Sequence, residues 1–236
     1  MSLTSSNRLM GVTVTKSIIL GCYTFLKSGG TEGASSYRWT MLIRSGEKDD
    51  EDEDLSEYIR RVEFNLHSTF AQPKRVVESP PFQVEEQGWG EFEVSMRIYF
   101  QDINERPLEV KHWLKLRPSE GEDTGIDYSV TPLVSEVMDE IVFTSPHEWF
   151  YEKLTKPAST RVSIPGIASM KISDHPLRPW MKSVDDFVSE EESDEKKLLE
   201  IEKFLKVQIS NHQSQILLVD SDYRAYRDHF YKYNLT

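Results

Sequence analysis

Residues 92–100 read Phe-Glu-Val-Ser-Met-Arg-Ile-Tyr-Phe. Phe92, Val94, Met96, Ile98 and Phe100 make an unbroken apolar stripe at period two. Successive side chains of a strand point to opposite faces, so the stripe reads as a strand with one face on a core. The same alternation returns on both sides. Upstream it runs through Val12, Val14, Ile18 and Leu20, then Trp39, Met41 and Ile43, then Val62, Phe64 and Leu66. Downstream, residues 108–116 and 137–143 supply two more strands. Pro80, Pro81 and Gly88 punctuate the loops. No helical period competes before about residue 150, so the spacing predicts an all-β domain over 10–155, a sandwich or barrel of short strands.

The character changes beyond that point. Pro157, Pro165, Gly166, Pro176 and Pro179 interrupt any period, which predicts an irregular linker over 156–190. Trp180 and Met181 are apolar exceptions in it. Farther on, Leu198, Ile201, Leu205, Ile209, His212, Ile216, Val219, Tyr223, Tyr226, Phe230 and Tyr233 recur at steps of three and four. That is the seam of an amphipathic helix or coiled coil, expected over 191–234 with an N-terminal signal at Ser193-Asp194-Glu195. A stripe this long needs a partner, another subunit or a second copy, because alone it leaves an apolar strip in water.

Composition narrows the function classes. The chain has 236 residues and a net charge of −12, which disfavours direct nucleic-acid binding and favours a basic partner. Cys22 is the one cysteine, so neither an internal disulfide nor a cysteine-based zinc site is expected, and a reducing compartment fits. No apolar run approaches a membrane span and no leader is recognisable, so a soluble chain is expected. There is no Gly-x-Ser-x-Gly elbow, no His-Glu-x-x-His motif and no phosphate-binding glycine loop, which argues against an enzyme. The acidic run Glu47-Lys-Asp-Asp-Glu-Asp-Glu-Asp54 reads as a solvated loop between strands.

Three linked motifs carry a resemblance. Leu66-His67-Ser68-Thr69-Phe70, Pro80-Pro81-Phe82 and Gly88-Trp89-Gly90-Glu91-Phe92 occur in this order. Their type and spacing resemble the YEATS domain, a reader of acylated histone lysine, over roughly residues 10–155. The resemblance implies an immunoglobulin-like β-sandwich with the site on loops at one end. It implies Phe70 and Trp89 as two aromatic walls, Thr69 as a hydroxyl beside the acyl amide, and the Trp89 backbone N–H as donor to the acyl carbonyl. Gly88 and Gly90 would let that backbone approach closely. His67 would line the pocket beside the lysine stem, and Phe92 would serve the core first and the ligand second.

One position departs from the family. Relatives carry a histidine or aromatic ahead of the strand tryptophan, where this chain has Ser35-Ser36-Tyr37-Arg38-Trp39. Ser35 leaves that wall short, and Tyr37 is the candidate substitute. The reading is therefore a nuclear, non-catalytic acyl-lysine reader without metal or cofactor. It would be carried in a histone acetyltransferase or histone-variant exchange complex by its C-terminal helix. The alternative is a scaffold subunit that no longer binds acyl-lysine. Two aromatic contacts and two hydrogen bonds, less the cost of ordering a tail, predict dissociation constants of roughly 10–1000 μM.

Overall fold

The computed structural model of the chain describes residues 7–27, 37–48, 52–118, 125–156 and 171–234. Two compact units result, Met1–Val184 and Asp185–Thr236. The first contains eight strands among its described residues: β1 Thr13–Leu26, β2 Tyr37–Ser45, β3 Ile59–Asn65, β4 Lys74–Val77, β5 Phe82–Gly88, β6 Glu93–Phe100, β7 Leu108–Trp113 and β8 Leu133–Thr144. They form two antiparallel four-stranded sheets, ordered β5-β2-β1-β8 and β4-β3-β6-β7.

The inner faces of the two sheets share one core. Ile18, Leu20 and Cys22 of β1 and Trp39, Met41 and Ile43 of β2 meet Val62 and Phe64 of β3 and Val94, Met96 and Ile98 of β6. The stripe at 94–100 thus faces inward as its period demands. Burial pushes the Cys22 thiol up to about 11, a shift that its bonds to Thr24 and the Lys115 backbone only partly offset. A short helix, α1 Glu148–Thr155, closes the core with Phe150 and Leu154.

The outer face of the first sheet is covered too, which a half-solvated antiparallel sheet would not require. Residues 171–183, read from the sequence as linker, form two 3-10 turns, Ile172–Asp174 and Arg178–Trp180. Leu177 and Met181 pack there on Tyr23 and Leu42, and Trp180 meets Phe25 edge-on at 5.7 Å. Gly21 makes room for the Tyr23 ring, since a Cβ there would lie 2.9 Å from Tyr23 Cε2. This strap explains why β1 and β2 are apolar on both faces. Polar contacts fix it: His175 Nε2 bonds Gln83 Oε1 at 2.7 Å, and the Ser173 N–H donates to Asp52 at 2.8 Å.

The acidic run is not uniformly solvated. Glu53 is buried, bonds Lys16 Nζ at 2.7 Å and accepts from Ser45 Oγ at 3.1 Å. Asp54 caps the 3-10 turn at Leu55–Glu57 by accepting from the Ser56 N–H. Charge density alone predicts a loop in water; these buried partners show why part of it is held.

The second unit is helical. The helix α2, Val184–Asn234, starts ahead of the apolar seam, with Asp185 and Asp186 in its first turn. Carboxylates at that end favour the helix through its dipole. Ile201, Leu205, Ile209, Ile216, Val219, Tyr223 and Tyr226 of the seam are exposed. No helix among the described residues is long and apolar enough to cross a membrane.

Candidate functional site

Leu66 ends the inward alternation of β3, and the chain then turns, with the Phe70 N–H donating to the His67 carbonyl at 3.1 Å. The turn leaves His67 and Thr69 exposed and tips Phe70 back against the core. The Thr69 hydroxyl bonds His67 Nδ1 at 3.0 Å, and the Thr69 N–H donates to the same nitrogen at 3.4 Å. These contacts tie the His67 ring to Thr69, whose hydroxyl oxygen has two lone pairs and can accept as well as donate.

A second segment arrives from β5. That strand ends at Gly88, and Trp89-Gly90-Glu91-Phe92 leads directly into β6. Trp89 is 63% exposed, and among the described residues it makes no ring contact. Its backbone N–H likewise has no hydrogen-bond partner among them. Phe92 is half-buried and meets His67 at 5.9 Å, Phe70 at 5.8 Å and Trp39 at 6.2 Å between ring centroids. Phe70 in turn meets Trp39 edge-on at 6.1 Å.

The two segments enclose an open cavity of about 610 Å³. His67, Thr69, Phe70, Gly88, Trp89, Gly90 and Phe92, seven of the nine candidate residues named from the sequence, line it. Ala71, Gln87 and Glu91 complete the lining and were not singled out. Glu91 is the one carboxylate on the described wall, and it is already engaged, accepting from the N–H groups of Leu116 at 2.7 Å and Arg117 at 3.0 Å. The aromatic part of the lining, Phe70, Trp89 and Phe92, offers apolar contact that suits a neutral planar group.

The glycines differ. A Cβ on Gly88 would lie 3.6 Å from Trp39 Nε1 and 3.8 Å from Phe70 Cζ, so a side chain there would fill the wall. Gly90 faces open space. Ser35 lies outside the described residues. Tyr37 pairs with Gly88 across β2 and β5 and packs against the core, but it does not line the cavity.

Other titratable clusters are structural in character. Asp102, Glu105 and His147 converge, yet Glu105 is bound by Arg8 at 2.9 Å and Asp102 by His147 at 2.5 Å. Burial would raise the Asp102 pKa, but hydrogen bonds from Asn104 and His147 outweigh it and hold the carboxyl below its ordinary range.

Known proteins share sequence and fold with this chain. Residues 34–118 match the YEATS family. Transcription initiation factor TFIID subunit 14b of Arabidopsis thaliana is 33% identical over 193 residues, 75% of this chain and 70% of that protein. The protein AF-9 homolog of Kluyveromyces lactis is 37% identical over 169 residues, 65% of this chain and 74% of its own length. Among solved structures, the Yaf9 YEATS domain bound to H3K27ac superposes with a TM-score of 0.52 at 32% identity, covering 64% of this chain and all of that domain (100%). The Yaf9 YEATS domain recognising an H3K122suc peptide gives 0.51 at 32% identity, covering 64% of this chain and 100% of that one. A shared fold, the motif order and identity over two thirds of its relatives place this chain in the YEATS family.

Proposed function

We propose that this protein is a non-catalytic reader of acylated lysine on histone tails. The observation that carries the reading is the aromatic cavity at His67–Phe92, in a chain whose structural relatives include a YEATS domain bound to H3K27ac. Acylation replaces a hydrated ammonium with a planar neutral amide. Phe70 and Trp89 supply flat apolar walls, the Trp89 N–H donates to the acyl carbonyl, and the Thr69 oxygen accepts from the amide N–H. Phe92 braces Phe70 and His67, so that side of the cavity is held before the ligand arrives.

The two sheets around one core form an immunoglobulin-like sandwich in this reading, with the strap of residues 171–183 as part of the same domain. The exposed seam of α2 is a coiled-coil face that anchors the chain in a nuclear complex of histone acetylation or histone-variant exchange. Affinity for a single tail is weak, and multivalency in the complex supplies the rest.

The test is calorimetric titration of the full chain with histone-tail peptides, unmodified and acetylated, alongside Trp89→Ala. Acyl-dependent binding lost in the folded variant supports the reader. Binding that ignores acylation, or is equal in the variant, overturns it in favour of a scaffold.

A further inference from the structure

Of the four strands at sheet edges, β8 is the longest, with 12 residues against seven for β5, six for β7 and four for β4. Its neighbour β1 shows which of its backbone groups point outward. Ser17, opposite Glu140, accepts from the Gly46 N–H at 2.8 Å and donates its own N–H to Glu47 at 3.0 Å, both on the side away from β8. Ser17 and Glu140 are therefore a non-hydrogen-bonded pair, and the backbone groups of Glu140 face out. Ser145 has the complementary phase, its N–H donating to the Val12 carbonyl at 2.7 Å. Alternation then turns the N–H and C=O groups of Met138 and Val142 outward with those of Glu140. Among the described residues these groups make one bond, a local one from the Glu140 N–H to Asp139 Oδ1 at 2.8 Å.

Such an edge templates pairing with another chain, and proteins usually blunt it with lysine, proline or a bulge. β8 has no lysine or proline, its register with β1 is unbroken, and Val137 and Val142 stand exposed on it. Beside it lies an open groove of about 570 Å³. Phe100, Leu108, Ile141 and Phe143 give the groove its apolar walls, and Glu140 and Val142 line it from the β8 edge. Arg106, just ahead of β7, also lines it and makes no ion pair among the described residues. The groove is remote from the acyl site. Phe92 lines one and Phe100 the other, so roughly 25 Å of extended chain separates them.

We propose that the β8 edge and this groove form a second docking surface, taken by an extended basic segment of a partner protein that adds to the sheet as a fifth strand. Strand addition draws affinity from main-chain bonds and specificity from pockets for alternate side chains. Met138, Glu140 and Val142 supply the first and the groove supplies the second. Charge selects the occupant. Asp139 and Glu140 are exposed side by side on the edge of a chain with net charge −12. The segment that fits carries lysine or arginine opposite them and apolar residues toward Phe100, Leu108 and Phe143. Arg106 offers its donors to the carbonyls of the added chain. A second copy of β8 does not fit, because antiparallel pairing about Asp139 and Glu140 sets these carboxylates against their own equivalents.

The experiment is residue-resolved amide exchange on the full chain with three capped peptides: alternating Val-Lys, alternating Val-Glu, and Val-Lys with N-methylated backbone amides. The expected result is exchange at Met138, Glu140 and Val142 slowed at least about tenfold by saturating Val-Lys peptide alone. Asp139→Lys with Glu140→Lys should weaken Val-Lys binding about tenfold and admit the Val-Glu peptide. If that variant does not fold, the wild-type exchange decides alone. No slowing at the three amides with millimolar Val-Lys peptide overturns the inference, as does equal slowing with the Val-Glu or the N-methylated peptide. Slowing without peptide that grows with protein concentration overturns it in favour of self-pairing. An acetylated histone-tail peptide that displaces the Val-Lys peptide also overturns it, since the two sites would then be one.

Discussion

The Glu136 carboxylate meets the Arg44 guanidinium at 3.1 Å with neither side chain exposed to solvent. Lys182 of the strap bonds both: its carbonyl accepts from Arg44 Nη2 at 2.7 Å and its N–H donates to Glu136 at 2.8 Å. The Tyr23 hydroxyl donates to the same carboxylate, and burial together with that negative charge raises the Tyr23 pKa. Removing one partner of a buried pair strands the other charge. Glu136→Ala should therefore cost about 3–5 kcal/mol, whereas Arg44→Met with Glu136→Leu should recover much of it. Thermal unfolding of the full chain distinguishes the two.

The strap sets where the β-domain can be cut. A fragment ending at residue 155 uncovers Tyr23 and Leu42 and removes the Lys182 partner of Arg44 and Glu136. Losing Leu177 and Met181 alone forfeits about 1.5–3 kcal/mol each, a large share of a typical domain's stability of about 5–15 kcal/mol. Residues 1–184 should melt as a monomeric unit, and residues 1–155 should melt lower or aggregate on size exclusion.

Trp89 is exposed and carries no packing duty. Trp89→Ala should leave the unfolding free energy within about 0.5 kcal/mol of wild type, as for a surface change. Its loss from the peptide complex should weaken acyl-lysine binding at least about tenfold, one wall and its ordering effect. A folded variant that binds as wild type does would count against the site.

Two buried histidines predict an acid-sensitive fold. Burial lowers the pKa of His112, against the raising effect of its bond to the Ser135 carbonyl, and burial likewise lowers that of His175 in the strap. Below the unfolded value of about 6.5 the unfolded chain takes up protons that the folded chain refuses. Stability should thus be full above that pH and fall as the pH drops from it toward the lowered folded values. His175→Gln, which keeps a donor for Gln83, should flatten part of that slope in pH-dependent melts.

The α2 seam should act apart from the cavity. Ile216→Glu with Val219→Glu places charge on the exposed apolar stripe. Sedimentation and co-purification should show lost self-association or lost partner, with acyl-peptide affinity unchanged.

Much of this was legible from residue types. The stripe from Val94 to Phe100 fixes β6, and the turn after Leu66 together with Gly88-Trp89-Gly90 marks the cavity. β5 was hidden because Pro80-Pro81 and Gly88 read as loop punctuation and its inward Glu86 breaks the apolar alternation; the structure pairs that carboxylate with Arg75. The start of α2 was hidden because Asp185, Asp186 and the glutamates after them show no apolar period, although they suit an exposed helical turn. The strap was invisible because its contacts are long-range, and only its stray apolar residues, Trp180 and Met181, hinted at a surface to cover.

Cys22 has a practical consequence. Its thiol is fully buried and stays protonated at neutral pH. Since the thiolate is the reactive form, the native chain presents maleimides and oxidants with almost nothing to attack. A cysteine introduced at the cavity rim or along α2 would be the sole reactive thiol. The wild-type background is thus ready for single-site dye or spin labels, and distances between the cavity and α2 become measurable without first deleting a core residue.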